Sequence, residues 1–309
     1  MIISYSQLSN NRINLREAIP LKKPFTILFE PASICNFKCT CCYYNLPDVY
    51  THMARGIMRW DVFQKIANDL ADWEGDKIKV IRLIGFGEPF INSNTTEMVR
   101  YLKELNIAER IEITSNCSLL TPYISRRLVD VELDYLRASI YAATQERHEI
   151  VTKNRMNLNI IRENLVELRL QRGHRDKPFI YVKMLDSFDP EENHRFIDMY
   201  SGIADEVAIE QPHNWLSSSG LIGSSICPQP FKMLSIRQNG DVIVCDPDWM
   251  NNTLMGNAFK ENIKNIWNNP KLAEFWKMQL EHRRGENESC RNCTFVESDT
   301  YILDDLEKK

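Results

Sequence analysis

The 309-residue chain carries 38 lysine and arginine residues against 42 aspartate and glutamate residues, a formal net charge of −4. This balance disfavours a protein that binds nucleic acid through phosphate neutralisation, and the 43% hydrophobic and 26% charged residues exclude disorder and collagen-like structure. The sequence lacks an apolar run of the ~18 residues that a membrane span requires, and it lacks the pattern of a secretory signal. We therefore expect a cytoplasmic protein that binds neither nucleic acid nor a membrane.

Short β-rich runs alternate with longer amphipathic stretches between residues 25 and 212, which predicts repeated βα units on a parallel sheet. The predicted strands are Phe25–Glu30, Lys79–Ile84, Ile111–Thr114, Leu133–Ile140, Phe179–Met184 and Glu206–Glu210. The predicted helices between them are Trp60–Trp73, Thr95–Leu105, Pro122–Val129, Leu158–Gln171 and Glu191–Met199. Six strands with right-handed crossovers indicate an α/β fold, a partial (β/α)6 barrel, because a full eight-stranded barrel needs ~250 residues.

Three cysteines follow the first predicted strand with the spacing C-x3-C-x2-C: Cys35, Cys39 and Cys42. Four cysteines hold all four irons of a four-iron cluster, so three would leave one iron open to another ligand. The alternatives are a zinc loop, although structural zinc sites prefer four ligands in short paired spacings, or simply buried cysteines.

The position of this three-cysteine loop resembles that of the radical S-adenosylmethionine (SAM) superfamily. The resemblance implies that the open iron chelates the methionine moiety of SAM. It also implies that the reduced cluster cleaves SAM to a 5′-deoxyadenosyl radical, with a reductant such as flavodoxin or ferredoxin.

The second strand leads into Gly85-Phe86-Gly87-Glu88-Pro89, which is similar to the family's Gly-Gly-Glu-Pro element. The resemblance implies that Gly87, Glu88 and Pro89 contact SAM. Phe86 departs from the family pattern because it separates the two glycines.

Two further strand ends carry the likeness. Asn116 stands in a turn similar to the family's Thr-Asn-Gly, and Ser139 stands where a family serine reaches the ribose or the carboxylate of SAM. An ordinary small strand residue is an equal alternative at Ser139. Cys41 occupies a position that is usually aromatic and near the adenine, a role that Tyr43 or Tyr44 would have to fill.

After residue 212 the pattern changes. The small residues of 217–225 predict a linker. The apolar runs Met233–Gln238 and Asp241–Asp246 flank Asn239-Gly240, which predicts a hairpin with a two-residue turn and positive φ at both turn residues. A helix is predicted from about Pro270 to Arg284.

Four cysteines lie in this C-terminal part: Cys227, Cys245, Cys290 and Cys293. Four soft ligands can hold an iron–sulfur cluster or a structural zinc. The surrounding sequence resembles the extension called SPASM, or its shortened form called twitch, which implies one auxiliary [4Fe-4S] cluster beside the SAM-binding [4Fe-4S] cluster. We therefore divide the chain into a lead-in (residues 1–24), a radical SAM partial barrel (25–215) and an auxiliary-cluster domain (216–309).

The resemblance implies several fates for a substrate radical. If the radical carbon carries a hydroxyl group, loss of a proton and of an electron to the auxiliary cluster gives a ketone, as in family members that dehydrogenate sugars or aminocyclitols. A peptide-modifying maturase is an alternative, but the 24 residues before the first predicted strand are too few for a precursor-binding domain. We therefore expect a small hydroxylated substrate. A non-catalytic electron-transfer module is a remote alternative, because a carrier has no need for an open iron.

Candidate catalytic residues lie at the predicted strand ends. Cys117 or Cys41 could give a hydrogen atom to a substrate radical, which would make the enzyme an epimerase, although a buried structural thiol is the alternative for each. Lys183, Glu210 and His213 are candidates for substrate contact or proton removal.

Overall fold

The computed structural model describes residues 14–42, 54–212, 226–291 and 293–295. Its strands are β1 Thr26–Phe29, β2 Ile78–Leu83, β3 Ala108–Ser115, β4 Tyr135–Ser139, β5 Phe179–Leu185, β6 Glu206–Glu210, β7 Met233–Ile236, β8 Asp241–Ile243 and β9 Leu254–Asn257. Its α-helices are α1 Leu15–Ala18, α2 Trp60–Asp72, α3 Thr95–Leu105, α4 Pro122–Asp130, α5 Gln145–Thr152, α6 Leu158–Arg172, α7 Pro190–Tyr200, α8 Gln229–Lys232, α9 Ile263–Trp267, α10 Pro270–Leu280 and α11 Glu288–Arg291.

The strands form one nine-stranded sheet in the order β6-β5-β4-β3-β2-β1-β7-β8-β9. Strands β1 to β6 pair in parallel with their sequence neighbours, as the βα pattern predicts. The expected α/β fold is confirmed. The parallel arrangement brings the carboxyl ends of all six strands to one edge of the sheet.

The two faces of the sheet differ in chemistry. One face contributes apolar residues such as Ile81, Leu136 and Val182 to the main hydrophobic core, which the helices cover. Their chain neighbours project to the opposite face, where Arg82 Nε donates to Glu112 Oε2 at 2.6 Å. The inner face of the partial barrel therefore carries charged side chains, beside the aromatic rings of Tyr135 and Tyr181.

The C-terminal extension continues this sheet. Strand β7 pairs in parallel with β1, from Thr26 opposite Met233 to Phe29 opposite Ile236, and β8 and β9 follow in antiparallel pairing. The predicted linker and the predicted domain boundary at 215/216 lie outside the described residues, so the boundary stays a prediction.

The hairpin is present, but its turn differs from the predicted type. Gly240 has φ +90°, whereas Asn239 does not have positive φ. The Gly240 N–H donates to the Arg237 carbonyl, and the Arg237 N–H donates to the Asp241 carbonyl. The Asn239 side chain accepts from the Asp241 N–H at 3.1 Å, so the turn needs positive φ only at the glycine, as in a three-residue hairpin loop.

Other elements differ from the sequence prediction. Helix α5 was not predicted, because it buries only His148 and Thr152 and so has little hydrophobic periodicity. Helix α10 ends at Leu280 rather than near Arg284, where a short 3₁₀ turn begins. Among the described residues, no helix is long and apolar enough to cross a membrane.

Candidate functional site

The three-cysteine loop follows β1 at the carboxyl edge of the sheet and is tied down by its backbone. The Cys42 N–H donates to the Cys39 carbonyl at 3.0 Å. The N–H groups of Lys38 and Thr40 donate to the carbonyls of Thr152 and Val151 at the end of α5. The unpredicted helix α5 therefore satisfies polar backbone groups of the loop that carries the cysteines.

The three thiols lie within electrostatic reach of one another. Burial is the largest cause that raises the pKa of Cys35, to about 12, and the neighbouring Cys42 thiol adds to the rise. Burial and the other loop thiols also raise the pKa of Cys39. Thiols that resist ionisation alone become thiolates when they bind metal, with release of protons. This grouping of donors fits a cluster held by three cysteines.

A single metal ion would need a tighter arrangement. Within residues 14–42, 54–212, 226–291 and 293–295, no group of three or more histidine, cysteine, aspartate or glutamate side chains is arranged to hold one metal ion. Ligands of a four-iron cluster each bind a different iron, so they do not have to converge on one point.

The Gly85–Pro89 segment packs directly against the chain before the cysteines. A Cβ atom at Gly87 would lie 2.3 Å from the Ala32 carbonyl oxygen and 2.4 Å from that of Ile34. The Glu88 N–H donates to the Ile34 carbonyl at 3.0 Å. Gly87 is therefore required by the close approach of two backbones.

The Glu88 carboxylate joins this segment to the end of β3. Its two oxygens accept from Ser115 Oγ at 2.7 Å and from the Asn116 N–H at 2.8 Å. Asn116 Nδ2 in turn donates to Asn36 Oδ1 at 3.0 Å. Burial outweighs these hydrogen bonds and raises the pKa of Glu88 to about 7. Glu88 and Asn116 thus fix the geometry of the loops around the cysteines.

Ser139 lies at the carboxyl end of β4, opposite Lys183 on β5. Its side chain hydrogen-bonds with Tyr141, whose pKa is raised first by burial and then by Cys41, Cys39 and Cys42. Tyr141 was missed by sequence reasoning, although its place two residues after Ser139 could have marked it. Tyr141 therefore lies near the end of β4 and within electrostatic reach of the three-cysteine loop.

Lys183 and Glu210 form an ion pair on the inner face. Lys183 Nζ lies 2.7 Å from Glu210 Oε2, and the two side chains are 17% and 11% exposed. Tyr181 donates its hydroxyl to Glu210 Oε1 at 2.8 Å. Burial works to raise the pKa of Glu210, but Lys183, Tyr181 and Arg137 outweigh it and lower that pKa. Glu210 is therefore an ionised acceptor near the carboxyl end of β6.

The two thiols considered as hydrogen donors lie in different environments. Cys117 has φ +58° and 0% exposure, and it packs in the main core, which is the setting of a structural thiol. Cys41 is exposed to solvent. Loss of hydration by the surrounding atoms raises the pKa of its thiol, and the nearby Lys183 opposes that rise. His213, Tyr43 and Tyr44 lie outside the described residues.

The four C-terminal cysteines also form a group. The pKa of Cys245 is raised by burial and then by Cys227, Cys293 and Cys290, so the other three thiols all lie within electrostatic reach of Cys245. The donor set fits a second cluster.

A buried arginine beside this group was missed from sequence. Arg284 is 1% exposed, and its Nη2 donates to the Cys293 carbonyl at 2.6 Å. Its charge opposes the burial that raises the pKa of Cys290.

Two family profiles match separate parts of the chain. The sequence profile of the radical SAM superfamily matches residues 29–171. The profile of SPASM, an iron–sulfur cluster-binding domain, matches residues 227–294.

Among curated relatives, an S-adenosyl-L-methionine-dependent 2-deoxy-scyllo-inosamine dehydrogenase of Niallia circulans is 34% identical over 74 residues, which are 24% of this chain and 30% of the relative. The matched segments span 30%, 30% and 51% of the three curated relatives found.

Two solved structures illustrate the likeness in fold. BtrN in complex with AdoMet and 2-DOIA superimposes with a TM-score of 0.60 at 22% identity and covers 88% of this chain and 93% of its own. Streptococcus suis SuiB bound to the precursor peptide SuiA has a TM-score of 0.67 at 12% identity and covers 91% of this chain and 72% of its own.

Proposed function

We propose that this chain, in which the radical SAM profile matches residues 29–171 and the profile of an iron–sulfur cluster-binding domain matches residues 227–294, is an oxidoreductase that dehydrogenates a small hydroxylated substrate of the sugar or aminocyclitol type. The cofactors of these domains are S-adenosylmethionine and iron–sulfur clusters, and we propose two [4Fe-4S] clusters. When bound, these groups supply a 5′-deoxyadenosyl radical for hydrogen abstraction and a site that accepts an electron.

The observation that carries the proposal is the second group of four cysteines. Cys245 follows β8, in the extension that hydrogen-bonds to the barrel through β7 and β1. An electron acceptor in that position gives an intermediate substrate radical a route to an oxidised product. The Niallia circulans relative, a dehydrogenase by name, supports this direction of reaction.

The chain's own residues would handle the proton. Removal of one hydrogen atom from the carbon of a secondary alcohol leaves a carbon radical that bears the hydroxyl, and loss of the hydroxyl proton and of one electron completes the ketone. Glu210 is ionised and hydrogen-bonded to Tyr181 and Lys183, so it can accept a hydroxyl proton or orient the hydroxyl. Lys183 can donate a hydrogen bond to the developing carbonyl oxygen.

An epimerase is the second candidate, and the observation that favours it is the exposed Cys41 thiol near Lys183. A thiol hydrogen would pass to the substrate carbon radical and leave a sulfur radical that an added electron and proton must restore. This route needs no net oxidation of the substrate. A peptide substrate is the third candidate, supported by the fold shared with SuiB.

The deciding experiment is an anaerobic incubation of the reconstituted protein with SAM, dithionite and a panel of aminocyclitols and sugars. We expect 5′-deoxyadenosine together with a product two mass units lighter than its substrate, detected by mass spectrometry. A product of unchanged mass, or turnover of peptides alone, would contradict the proposed dehydrogenation.

A further inference from the structure

Phe86, which interrupts the glycine pair of the SAM-binding segment, lies under a charged side chain from the C-terminal extension. The Arg237 guanidinium carbon is 4.4 Å from the centre of the Phe86 ring, within the range of a cation–π contact. The Phe86 N–H donates to Glu30 Oε1 at 2.9 Å, and Arg237 Nη1 lies 3.6 Å from the same oxygen. The ring and the backbone of Phe86 are thus held by two groups that also attract each other.

The same guanidinium contacts the loop that follows Cys245. Arg237 Nη2 donates to the Asp248 carbonyl at 2.6 Å, and Nε donates to Asn251 Oδ1 at 3.3 Å. The Arg237 side chain is 4% exposed. A planar guanidinium offers several donors in fixed directions, which the single ammonium of a lysine does not. Arg237 can therefore contact two loops at once.

The contacted loop is joined to the segment that carries Cys290. The Asp248 carboxylate accepts from Ser289 Oγ at 2.5 Å, and Ser289 directly precedes Cys290. The same carboxylate accepts from the N–H of Thr253, the residue before β9, at 2.7 Å. A shift of Arg237 would therefore move the loop after Cys245 and, through Asp248, the segment that carries Cys290.

A buried charge keeps its contacts, because leaving them unpaired is costly. The Arg237 guanidinium contacts Glu30 and Phe86 on one side and the Asp248 carbonyl on the other. It makes all three contacts only in one relative arrangement of the two loops. Ligand binding that moves the Phe86 segment must move Arg237 or break these contacts.

We propose that Arg237 is a positioning residue that couples the SAM site to the auxiliary-cluster site. This proposal rests on the two cofactor sites of the proposed function. SAM bound at the Phe86 segment then changes the reduction potential of the auxiliary cluster. The coupling is reciprocal, so the redox state of that cluster changes the affinity for SAM by the same factor.

The test compares wild-type protein with Arg237→Gln, Phe86→Leu and the control Arg126→Gln, all reconstituted anaerobically. Arg126 forms an exposed ion pair with Asp130 on α4. SAM affinity is measured by equilibrium dialysis, and the midpoint potential of the auxiliary cluster is measured by spectroscopically monitored titration with and without SAM. Iron content and thermal unfolding report whether each variant is folded.

In the wild type and in Arg126→Gln, SAM should shift the auxiliary midpoint potential. In Arg237→Gln that shift should be lost and SAM should bind about three- to tenfold more weakly, the size of a lost cation–π contact. Phe86→Leu keeps the Arg237 guanidinium but removes the ring beneath it. This variant should show a smaller SAM-dependent shift and weaker SAM binding than the wild type, so it tests the coupling if Arg237→Gln does not fold.

A wild-type protein without a SAM-dependent shift would overturn the coupling. Weaker SAM binding with an unchanged shift would overturn it equally, because Arg237 would then support only one loop. Neither readout uses a substrate, so failure here is distinct from failure of the proposed dehydrogenation.

Discussion

Ser139 and Lys183 lie opposite each other on neighbouring parallel strands β4 and β5. A residue proposed to reach the cofactor and a residue proposed to reach the substrate therefore share one edge of the sheet. Tyr141, which hydrogen-bonds with Ser139, lies within electrostatic reach of the three-cysteine loop. The described residues thus bring the proposed cofactor ligands and the proposed proton-handling groups to one edge of the sheet, which is what hydrogen abstraction from a bound substrate requires.

The first prediction concerns the metal content. Anaerobically reconstituted protein should hold about eight iron and eight sulfide ions, because two sets of cysteines each fit a four-iron cluster. Combined replacement of Cys35, Cys39 and Cys42 by alanine should remove about half of both and abolish SAM cleavage. Iron and zinc analysis provides the measurement. Stoichiometric zinc with about four iron would refute the auxiliary cluster.

The second prediction separates the two cysteine groups. Cys290→Ala combined with Cys293→Ala should retain uncoupled formation of 5′-deoxyadenosine and lose product formation, since the electron acceptor is gone. Cys117→Ala is the matched control, because Cys117 is buried in the core and should leave both clusters in place. Normal turnover in a folded double variant, checked by circular dichroism, would show that the auxiliary group is not needed.

The third prediction separates dehydrogenation from epimerisation. In deuterium oxide we expect a product that is two mass units lighter than the substrate and carries no solvent deuterium at the reacting carbon, and Cys41→Ala should remain active. An epimerase would instead incorporate one deuterium from an exchangeable thiol and would lose turnover in Cys41→Ala. High-resolution mass spectrometry of the product distinguishes the two results.

The fourth prediction follows from the buried carboxyl group of Glu88. Its pKa in the folded protein is raised to about 7, above that of an unfolded chain, so the folded state binds more protons between the two values. The stabilising contribution is complete below pH ~4.5 and is lost as the pH rises through about 7, by on the order of 3 kcal/mol.

The substitution Glu88→Gln replaces the carboxyl group by an amide that does not ionise. Relative to the wild-type apoprotein, the variant should gain stability between pH 5 and pH 8, whatever constant offset its altered hydrogen bonds cause. Urea unfolding at a series of pH values measures the difference. Parallel pH profiles for the two proteins would show that Glu88 does not titrate in this range.

The fifth prediction concerns Arg284, a buried cation beside the auxiliary cysteines. A positive charge favours the reduced, more negative form of a cluster. Arg284→Gln should therefore shift the auxiliary midpoint potential to more negative values, on the order of 50 mV or about 1 kcal/mol for one electron. Arg283→Gln is the neighbouring control, since Arg283 pairs with the exposed Glu281 and Glu286. Equal potentials in both variants would rule out an electrostatic role for Arg284.

The sequence was informative where the signal is local. The spacing of Cys35, Cys39 and Cys42 and the alternation of strands and helices depend on near neighbours, so the three-cysteine loop and the parallel strands could be predicted. Contacts between distant segments could not: Arg237 meets Phe86 across about 150 residues of chain, and nothing in either segment indicates the other. Helix α5 could not be predicted because its buried residues, His148 and Thr152, form no apolar stripe; it contacts the cysteine loop through backbone carbonyls and through the His148 ring against Phe37.

The pairing of β7 with β1 also has a consequence for solubility. Strand β1, Thr26-Ile27-Leu28-Phe29, is apolar, and without β7 it would be an exposed edge strand with unpaired N–H and carbonyl groups. Exposed edge strands can pair with strands of other molecules. A truncated chain that ends before β7 should therefore self-associate through β1 even though its own barrel strands are intact, so the extension protects the barrel from aggregation whether or not it binds iron.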